Sequence, residues 1–272
     1  MTASFISCGL KPTSQAMRAP RVVPIAALAT QVDDGTPIVA LFDGKIQPEH
    51  AALLRVARPP LLLACRSDGK PSPWELRALA VLLGAAPLTA IAPVASFAWK
   101  IGGMNDLRAL AQEAEAAVRN AGAGSAAAAI VADVMYELAA NALFDAPHTD
   151  EGVPKYAHQR GVEVEFAATD ACRATVAVAD GRAYLSATDL FGRLTAVPIA
   201  AMLEGLGAKA QVNKSGGGAG LGLRRVVEQS DLWAVRVSPS VVTEVLCVVD
   251  LGDTRRRAGS PKSLLFTALA GR

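Results

Sequence analysis

The stretch "KSGGGAGLGLRRVVEQSD" (residues 214–231) decides how we interpret this chain of 272 residues. It contains five glycines within seven positions, 216–222, and continues directly into a helix-like sequence. Peptide N–H groups that converge at the start of a helix form an anion site, because the helix dipole adds about half a positive charge there. The stretch therefore predicts a phosphate-binding loop followed by a helix.

Two common phosphate-binding loops do not fit this stretch. A Walker loop needs Lys followed by Ser or Thr after its last glycine, whereas Leu223 and Arg224 follow Gly222. The dinucleotide pattern G-x-G-x-x-G has no alignment within residues 216–222, and no ordinary βαβ unit surrounds it. A plain flexible loop stays open as the alternative to an anion site.

An upstream helix carries a polar face. In "VADVMYELAANALFDAP" (residues 131–147), Glu137, Asn141 and Asp145 follow one another at i, i+4 spacing, so they share one face of a helix predicted over residues 125–145. The opposite face is apolar, and Pro147 ends the helix. The polar face either points to solvent or lines a ligand site.

Two hairpins flank the glycine-rich stretch. The first, "RATVAVADGRAYLSATDLFGRL" (residues 173–194), turns at Asp180-Gly181, and its second strand ends at Asp189, close to Gly192. The second, "WAVRVSPSVVTEVLCVVDL" (residues 233–251), carries Thr243. Asp189 is either a hydrogen-bond acceptor at the end of the sheet or an ordinary turn residue.

Four motifs follow one another along the chain: Glu137 and Asn141 on one helix, Asp189 at a strand end with Gly192 nearby, the glycine stretch with G-x-G-L-G-L opening a helix, and Thr243 on a strand. In this order they resemble the GHKL superfamily of ATP-binding domains over residues 107–250. This superfamily includes histidine-kinase catalytic domains, anti-sigma-factor serine kinases, gyrase and MutL. The resemblance implies an α+β Bergerat fold, a two-layer α/β sandwich in which a mixed, mostly antiparallel sheet lies under helices. It also implies that the chain binds ATP and Mg²⁺.

The resemblance assigns roles to individual residues. Glu137 would be the catalytic base that orients or deprotonates a water or hydroxyl, Asn141 would bind Mg²⁺ through its amide oxygen, and Asp189 would accept the adenine amino group. The other implied nucleotide-binding residues are Gly192, Gly218, Gly220, Leu221, Gly222 and Thr243. Arg224 and Arg225 either assist phosphate charge or are ordinary helix-surface residues.

The chain also departs from the pattern of this superfamily. Most members carry D-x-G-x-G, whereas Asp189 is followed here by Leu190, Phe191 and Gly192, so we expect Phe191 to crowd or line the adenine pocket differently. The segment expected to contain the lid, residues 192–214, is short, as in the anti-sigma and histidine-kinase branches. A helix with a phosphoacceptor histidine is missing upstream of Glu137, which argues against a complete sensor kinase.

Residues 21–103 predict a small α/β domain with a parallel sheet before the ATP-binding domain. We expect strands in residues 22–28, 36–43, 59–66 and 87–94, and helices in residues 48–57 and 73–85. The pattern is weakly similar to the second half of a bacterial receiver, with Asp43 at the matching place, although an ordinary turn aspartate is favoured. The remaining divisions are a flexible tail (1–20), the ATP-binding domain (104–253) and a basic and apolar C-terminal tail (254–272).

Composition limits the compartment and the partners. A net charge of +2 provides no broad basic field, so we expect no nucleic-acid partner. Residues 78–99 are uncharged, but "GAAP" (residues 84–87) interrupts them, so we expect no membrane span.

The four cysteines, Cys8, Cys65, Cys172 and Cys247, have no C-x-x-C spacing and are expected to be buried thiols. Without a secretion signal, the chain is expected to be cytoplasmic.

Together these features predict a signalling protein of bacterial type that binds ATP and Mg²⁺ and contacts a protein partner. Three consequences of ATP binding stay open. The protein could transfer a phosphoryl group to Ser or Thr of the partner, hydrolyse ATP slowly, or act as a catalytically inactive scaffold. The sequence also leaves the oligomeric state open, including a homodimer.

Overall fold

The structure is a computed structural model that describes residues 4–7, 21–22, 37–56, 59–157, 159–160, 164–205, 219–252 and 260–268. The strands in these ranges are β1 (Ser4–Ser7), β2 (Arg21–Val22), β3 (Ile38–Phe42), β4 (Leu61–Ala64), β5 (Phe97–Ile101), β6 (Cys172–Ala179), β7 (Arg182–Asp189), β8 (Leu232–Ser238), β9 (Val242–Asp250) and β10 (Ser263–Ala268). They form one mixed sheet in the order β2-β1-β3-β4-β10-β8-β9-β7-β6-β5.

Six α-helices lie in the same described ranges. They are α1 (His50–Leu54), α2 (Pro73–Leu83), α3 (Met104–Asn120), α4 (Ser125–Ala140), α5 (Ala196–Glu204) and α6 (Ala219–Gln229). A π-helical turn, Asn141–Asp145, extends α4, and Leu88–Ile91 and Ala168–Asp170 form 3₁₀ turns. The protein is therefore a mixed α/β fold with a mixed sheet, as the coarse prediction stated.

Both faces of the sheet are covered. Helices α1, α3, α4, α5 and α6 bury one face, and α2 with the 3₁₀ turn Leu88–Ile91 packs on the other. Strand β8 shows the consequence, because Trp233 and Val235 enter one core while Leu232 and Ala234 enter the other. Residues 73–91, predicted to belong to the small N-terminal domain, thus cover strands of the predicted ATP-binding domain.

The C-terminal segment corrects the prediction of a tail over residues 254–272. Ser263–Ala268 forms β10, which pairs in parallel with β8 and antiparallel with β4. Its position joins β3 and β4 to the antiparallel strands β8, β9, β7 and β6 in one sheet. The division at residues 103 and 104 stays a prediction, but strands from both sides of it share this sheet.

Local predictions in the N-terminal half were correct in part. Strands β3 and β4 are parallel, and α1 and α2 lie where the pattern predicted them. The predicted strand at residues 87–94 is wrong, because Leu88–Ile91 is a 3₁₀ turn. Leu88 and Ile91 are both buried on one side, and residues three apart coincide in a 3₁₀ turn but oppose each other in a strand.

Smaller corrections concern the termini of elements. Ser4–Ser7 forms β1 within the predicted tail 1–20, and it pairs in parallel with β3. Arg21–Val22 forms β2, while most of the predicted strand at 22–28 lies outside the described residues. Gly103 is the N-cap of α3. The predicted hairpin turn is confirmed, with positive φ at Asp180 (52°) and Gly181 (69°).

One helical segment, Ser125–Asp145, is long and apolar enough to cross a membrane by length and composition. Because 61% of its apolar window is buried inside the protein, it also meets the description of a core helix. Cys65, Cys172 and Cys247 are buried free thiols as expected, and Cys8 lies outside the described residues.

We expect Leu265→Ala in β10 to lower the free energy of unfolding by about 3 kcal/mol, because this buried side chain fills the core beneath α2. Urea unfolding followed by circular dichroism measures the change. Thr267→Ala, at a partly exposed position of the same strand, is the control and should cost less than about 1 kcal/mol. Equal and negligible effects at both positions would contradict the central place of β10.

Candidate functional site

The polar face of α4 is partly enclosed by the fold. Val131, Val134 and Leu138 are buried in the core, as the apolar pattern predicted, and this leaves Glu137 and Asn141 half-buried at its edge. After Ala140 the helix widens into the π turn, in which the Ala146 N–H donates to the Asn141 carbonyl oxygen (3.2 Å). Such π turns often accompany functional sites, because they change the direction of side chains within a helix.

Gly222 is the point where α6 meets this polar face. A Cβ at Gly222 would overlap Oε2 of Glu137 and would lie 3.2 Å from its Cδ. The glycine-rich stretch and the Glu137 helix therefore contact each other directly. Gly220 and Leu221 lie in the first turn of α6, which begins at Ala219. Gly218 lies outside the described residues.

Arg160 completes this cluster, and the sequence analysis missed it. Its Nη2 donates to Asn141 Oδ1 (2.6 Å) and to Asp145 Oδ2, and its Nη1 donates to Glu137 Oε2 (3.4 Å). The guanidinium also lies over the Phe144 ring, 5.9 Å from its centroid. No periodic signal could have found Arg160, because it reaches the helix from a loop that follows Pro147.

Asp189 lies at the end of β7, opposite Thr243 of β9 in the strand register. Its Oδ1 accepts the N–H groups of Phe191 (2.9 Å) and Gly192 (3.2 Å). Burial raises the pKa of the carboxyl, and these N–H groups and Thr243 partly offset the effect. The Thr243 hydroxyl is buried and makes no hydrogen bond of normal geometry within the described residues.

Gly192 has a structural reason to be glycine. Its φ is +60°, and an added Cβ would overlap the Ser238 carbonyl oxygen and lie 2.8 Å from the amide nitrogens of Ser240 and Val241. The chain after Asp189 thus packs tightly against the β8–β9 turn. This packing positions the N–H groups of Phe191 and Gly192, which donate to Asp189. It explains the glycine without any role in ligand binding.

Cys172 connects the Asp189 end of the sheet to α4. Its Sγ lies 3.8 Å from the Ala139 carbonyl oxygen, and burial, with the nearby Asp189 charge, raises the pKa of the thiol to about 12. Asp189 therefore lies beneath the last turn of α4, close to where Asn141 begins the π turn. The predicted site residues that the structure describes gather around this end of the sheet.

Arg224 and Arg225 match the helix-surface interpretation. Arg224 donates from Nε to Glu228 (2.7 Å) and from Nη1 to the Gly205 carbonyl oxygen (3.3 Å). Arg225 pairs with Asp133 of α4 (2.8 Å) on the exposed surface. These contacts connect α6 to its neighbours.

Other places in the described ranges offer little competing chemistry. Across all the described ranges, the Glu137 cluster included, there is no group of three or more His, Cys, Asp or Glu side chains able to bind a metal ion. A cavity of about 430 Å³ lies at the opposite end of the sheet, between the α3–α4 turn, the Asp180-Gly181 turn and Leu251. Its lining consists mainly of small side chains and backbone, so it does not belong to the Glu137 cluster.

Comparison of the chain with models of protein families and with curated protein sequences gives no match. The resemblance to the GHKL superfamily therefore depends on the sequence motifs alone.

We expect Asp189→Asn to become more stable relative to the parent as the pH rises. A carboxyl whose pKa is raised by folding costs no stability below its ordinary value of 3.8 and destabilises the fold as the pH rises through the folded pKa. Asn keeps an acceptor for the two N–H groups but carries no charge. Urea unfolding between about pH 3 and about pH 7 measures the difference in free energy of unfolding.

Asp68→Asn is the control, because it makes the same change in net charge at an exposed turn. The opposite result, in which the parent becomes more stable relative to the Asp189→Asn variant as the pH rises, would show that hydrogen bonding to the carboxylate outweighs its burial.

Proposed function

We propose that this chain is a regulatory protein that binds ATP and Mg²⁺ in a Bergerat-type site of the GHKL superfamily. The observation that carries the proposal is the contact of Gly222 with the Glu137 carboxylate. It joins the start of the glycine helix to the Glu137 and Asn141 face, which is the juxtaposition that phosphate and metal binding require. The position of Asp189 beneath the same end of α4 supports an adenine pocket beside it.

The donor set fits the proposed ligands. Oxygens of Glu137, Asn141 and Asp145 already converge on one cationic group, and hard oxygen ligands of this kind suit Mg²⁺. When bound, Mg-ATP would supply a transferable phosphoryl group. The first-turn N–H groups of α6 would bind its phosphates, and the Asp189 carboxylate would accept the adenine amino group.

The consequence of binding divides into phosphoryl transfer to a partner, slow hydrolysis and a catalytically inactive scaffold. Glu137, half-buried next to Gly222, is placed as a base for the first two. One observation favours the scaffold. Arg160 donates to Glu137 and Asn141 at once, and a base paired with a guanidinium is poorly placed to receive a proton.

We expect Asn141→Ala and Asp189→Asn each to weaken Mg-ATP binding about tenfold or more, because loss of one charge-assisted contact is worth about 1.5 kcal/mol. Isothermal titration calorimetry with ATP and MgCl₂ measures the dissociation constants. Asn120→Ala, at the exposed end of α3, is the control and should bind as the parent does. Unchanged binding in both site variants would show that the pocket is assigned wrongly.

We expect Gly222→Ala to abolish phosphate release or transfer. Its free energy of unfolding should stay within about 1 kcal/mol of that of the parent. The added methyl collides only with the flexible end of Glu137, and Ala favours a helix over Gly by about 1 kcal/mol. Glu137→Ala should reproduce the loss of turnover with ATP binding retained. Gly124→Ala, which has open space around the added methyl, is the control. A parent that binds ATP without turnover would identify the scaffold.

A further inference from the structure

We propose that Arg160 is an internal counter-cation that occupies the divalent-metal position of the Glu137 cluster, so that Mg²⁺ binds there only by displacing it. The inference rests on the proposed function and adds a regulatory step to the same site. It concerns the order of events, since the guanidinium must leave before metal and nucleotide are bound together.

The geometry that carries the proposal is the sharing of one oxygen. Arg160 Nη2 lies 2.6 Å from Asn141 Oδ1 and also donates to Asp145. Mg²⁺ would bind the same amide oxygen at about 2.1 Å. Two cationic groups at one amide oxygen repel each other strongly in a partly buried site, so Arg160 and the metal exclude one another.

The charges in the cluster explain why Arg160 is held there. Glu137 and Asp145 lie on the same helix face, and their side chains are only 17% and 23% exposed. Without a cation, two carboxylates in such a place repel each other and raise the free energy of the fold. Arg160 supplies one positive charge, whereas Mg²⁺ would supply two and neutralise both carboxylates.

The position of Arg160 is supported by its loop. Tyr156 and Lys155 donate to the buried carboxylate of Asp170 (2.8 and 3.1 Å), which fixes the loop to the start of β6. The Tyr156 ring packs on Phe166, and Phe166 packs edge-on against Phe144, with ring centroids 4.8 and 5.1 Å apart. Phe144 in turn lies beneath the Arg160 guanidinium. These packed rings and hydrogen bonds therefore hold the Arg160 side chain beside the polar face of α4.

The test compares the full-length parent with Arg160→Gln, and with Arg119→Gln as the matched control. Arg119 pairs with Glu115 on the exposed surface of α3, so its loss removes one charge and one ion pair far from the cluster. Binding of Mn²⁺ alone is measured by electron paramagnetic resonance, and the Mg²⁺ dependence of ATP binding by calorimetry. Thermal unfolding with and without MgCl₂ provides a readout that needs neither nucleotide nor turnover.

We expect Arg160→Gln to bind Mn²⁺ about tenfold more tightly than the parent, and to need about tenfold less Mg²⁺ for half-maximal ATP binding. It should unfold at a lower temperature than the parent without divalent ions and recover when MgCl₂ is added. Arg119→Gln should show none of these changes. Arg160→Lys should lie between, because an ammonium keeps the charge but not the guanidinium fork.

Several outcomes distinguish the exclusion of Mg²⁺ by Arg160, called the latch below, from the proposed function. Tighter Mn²⁺ binding in Arg160→Gln without ATP binding in any variant would support the latch and overturn the nucleotide assignment. ATP binding with an unchanged Mg²⁺ requirement would overturn the latch and leave the function standing. Weaker ATP binding by Arg160→Gln at saturating Mg²⁺ would also overturn it, because Arg160 would then be a phosphate ligand.

Discussion

The first turn of α6 approaches α4 closely at Gly222. A Cβ there would overlap the flexible end of the Glu137 side chain, so glycine lets the two helices meet without displacing that carboxylate. That contact brings the N-terminal end of one helix to the polar face of another. A carboxylate, an amide and the peptide N–H groups of a first helical turn then share a small region, and the remaining features of the site are arranged around it.

The sheet makes this arrangement rigid. Strand β9 holds Thr243 opposite Asp189 of β7, and the close approach of Gly192 to the β8–β9 turn fixes the chain that follows. Asp189 is therefore buried at a cost, since its pKa is raised, while its Oδ1 accepts two backbone N–H groups. Asn at this position would satisfy the same two N–H donors without a buried charge, so packing alone does not explain a carboxylate at position 189.

Sequence alone predicted the parts of the fold that local pattern determines. The Asp180-Gly181 hairpin and the placement of Glu137 and Asn141 on one helix face both follow from turn chemistry and periodicity. Strand β10 could not be predicted in the same way, because its partners β4 and β8 lie far from it along the chain, and only their free edges turn "SLLFTA" into a central strand. The strand predicted at residues 87–94 was wrong for a related reason. The burial of Leu88 and Ile91 on one side, which depends on the tertiary fold, favours a 3₁₀ turn over a strand.

Sequence motifs identified the acidic and amide residues of the cluster but not Arg160. The motifs identify groups with negative or neutral oxygens, namely Glu137, Asn141 and Asp145, but not the cation that balances them before a ligand arrives. Two partly buried carboxylates on one helix face repel each other, and a nearby cation is needed to offset that repulsion. A loop arginine seated on Phe144 meets that requirement. Under the proposed function, the affinity of this site for Mg²⁺ would depend on the strength of the Arg160 contacts as well as on the metal ligands themselves.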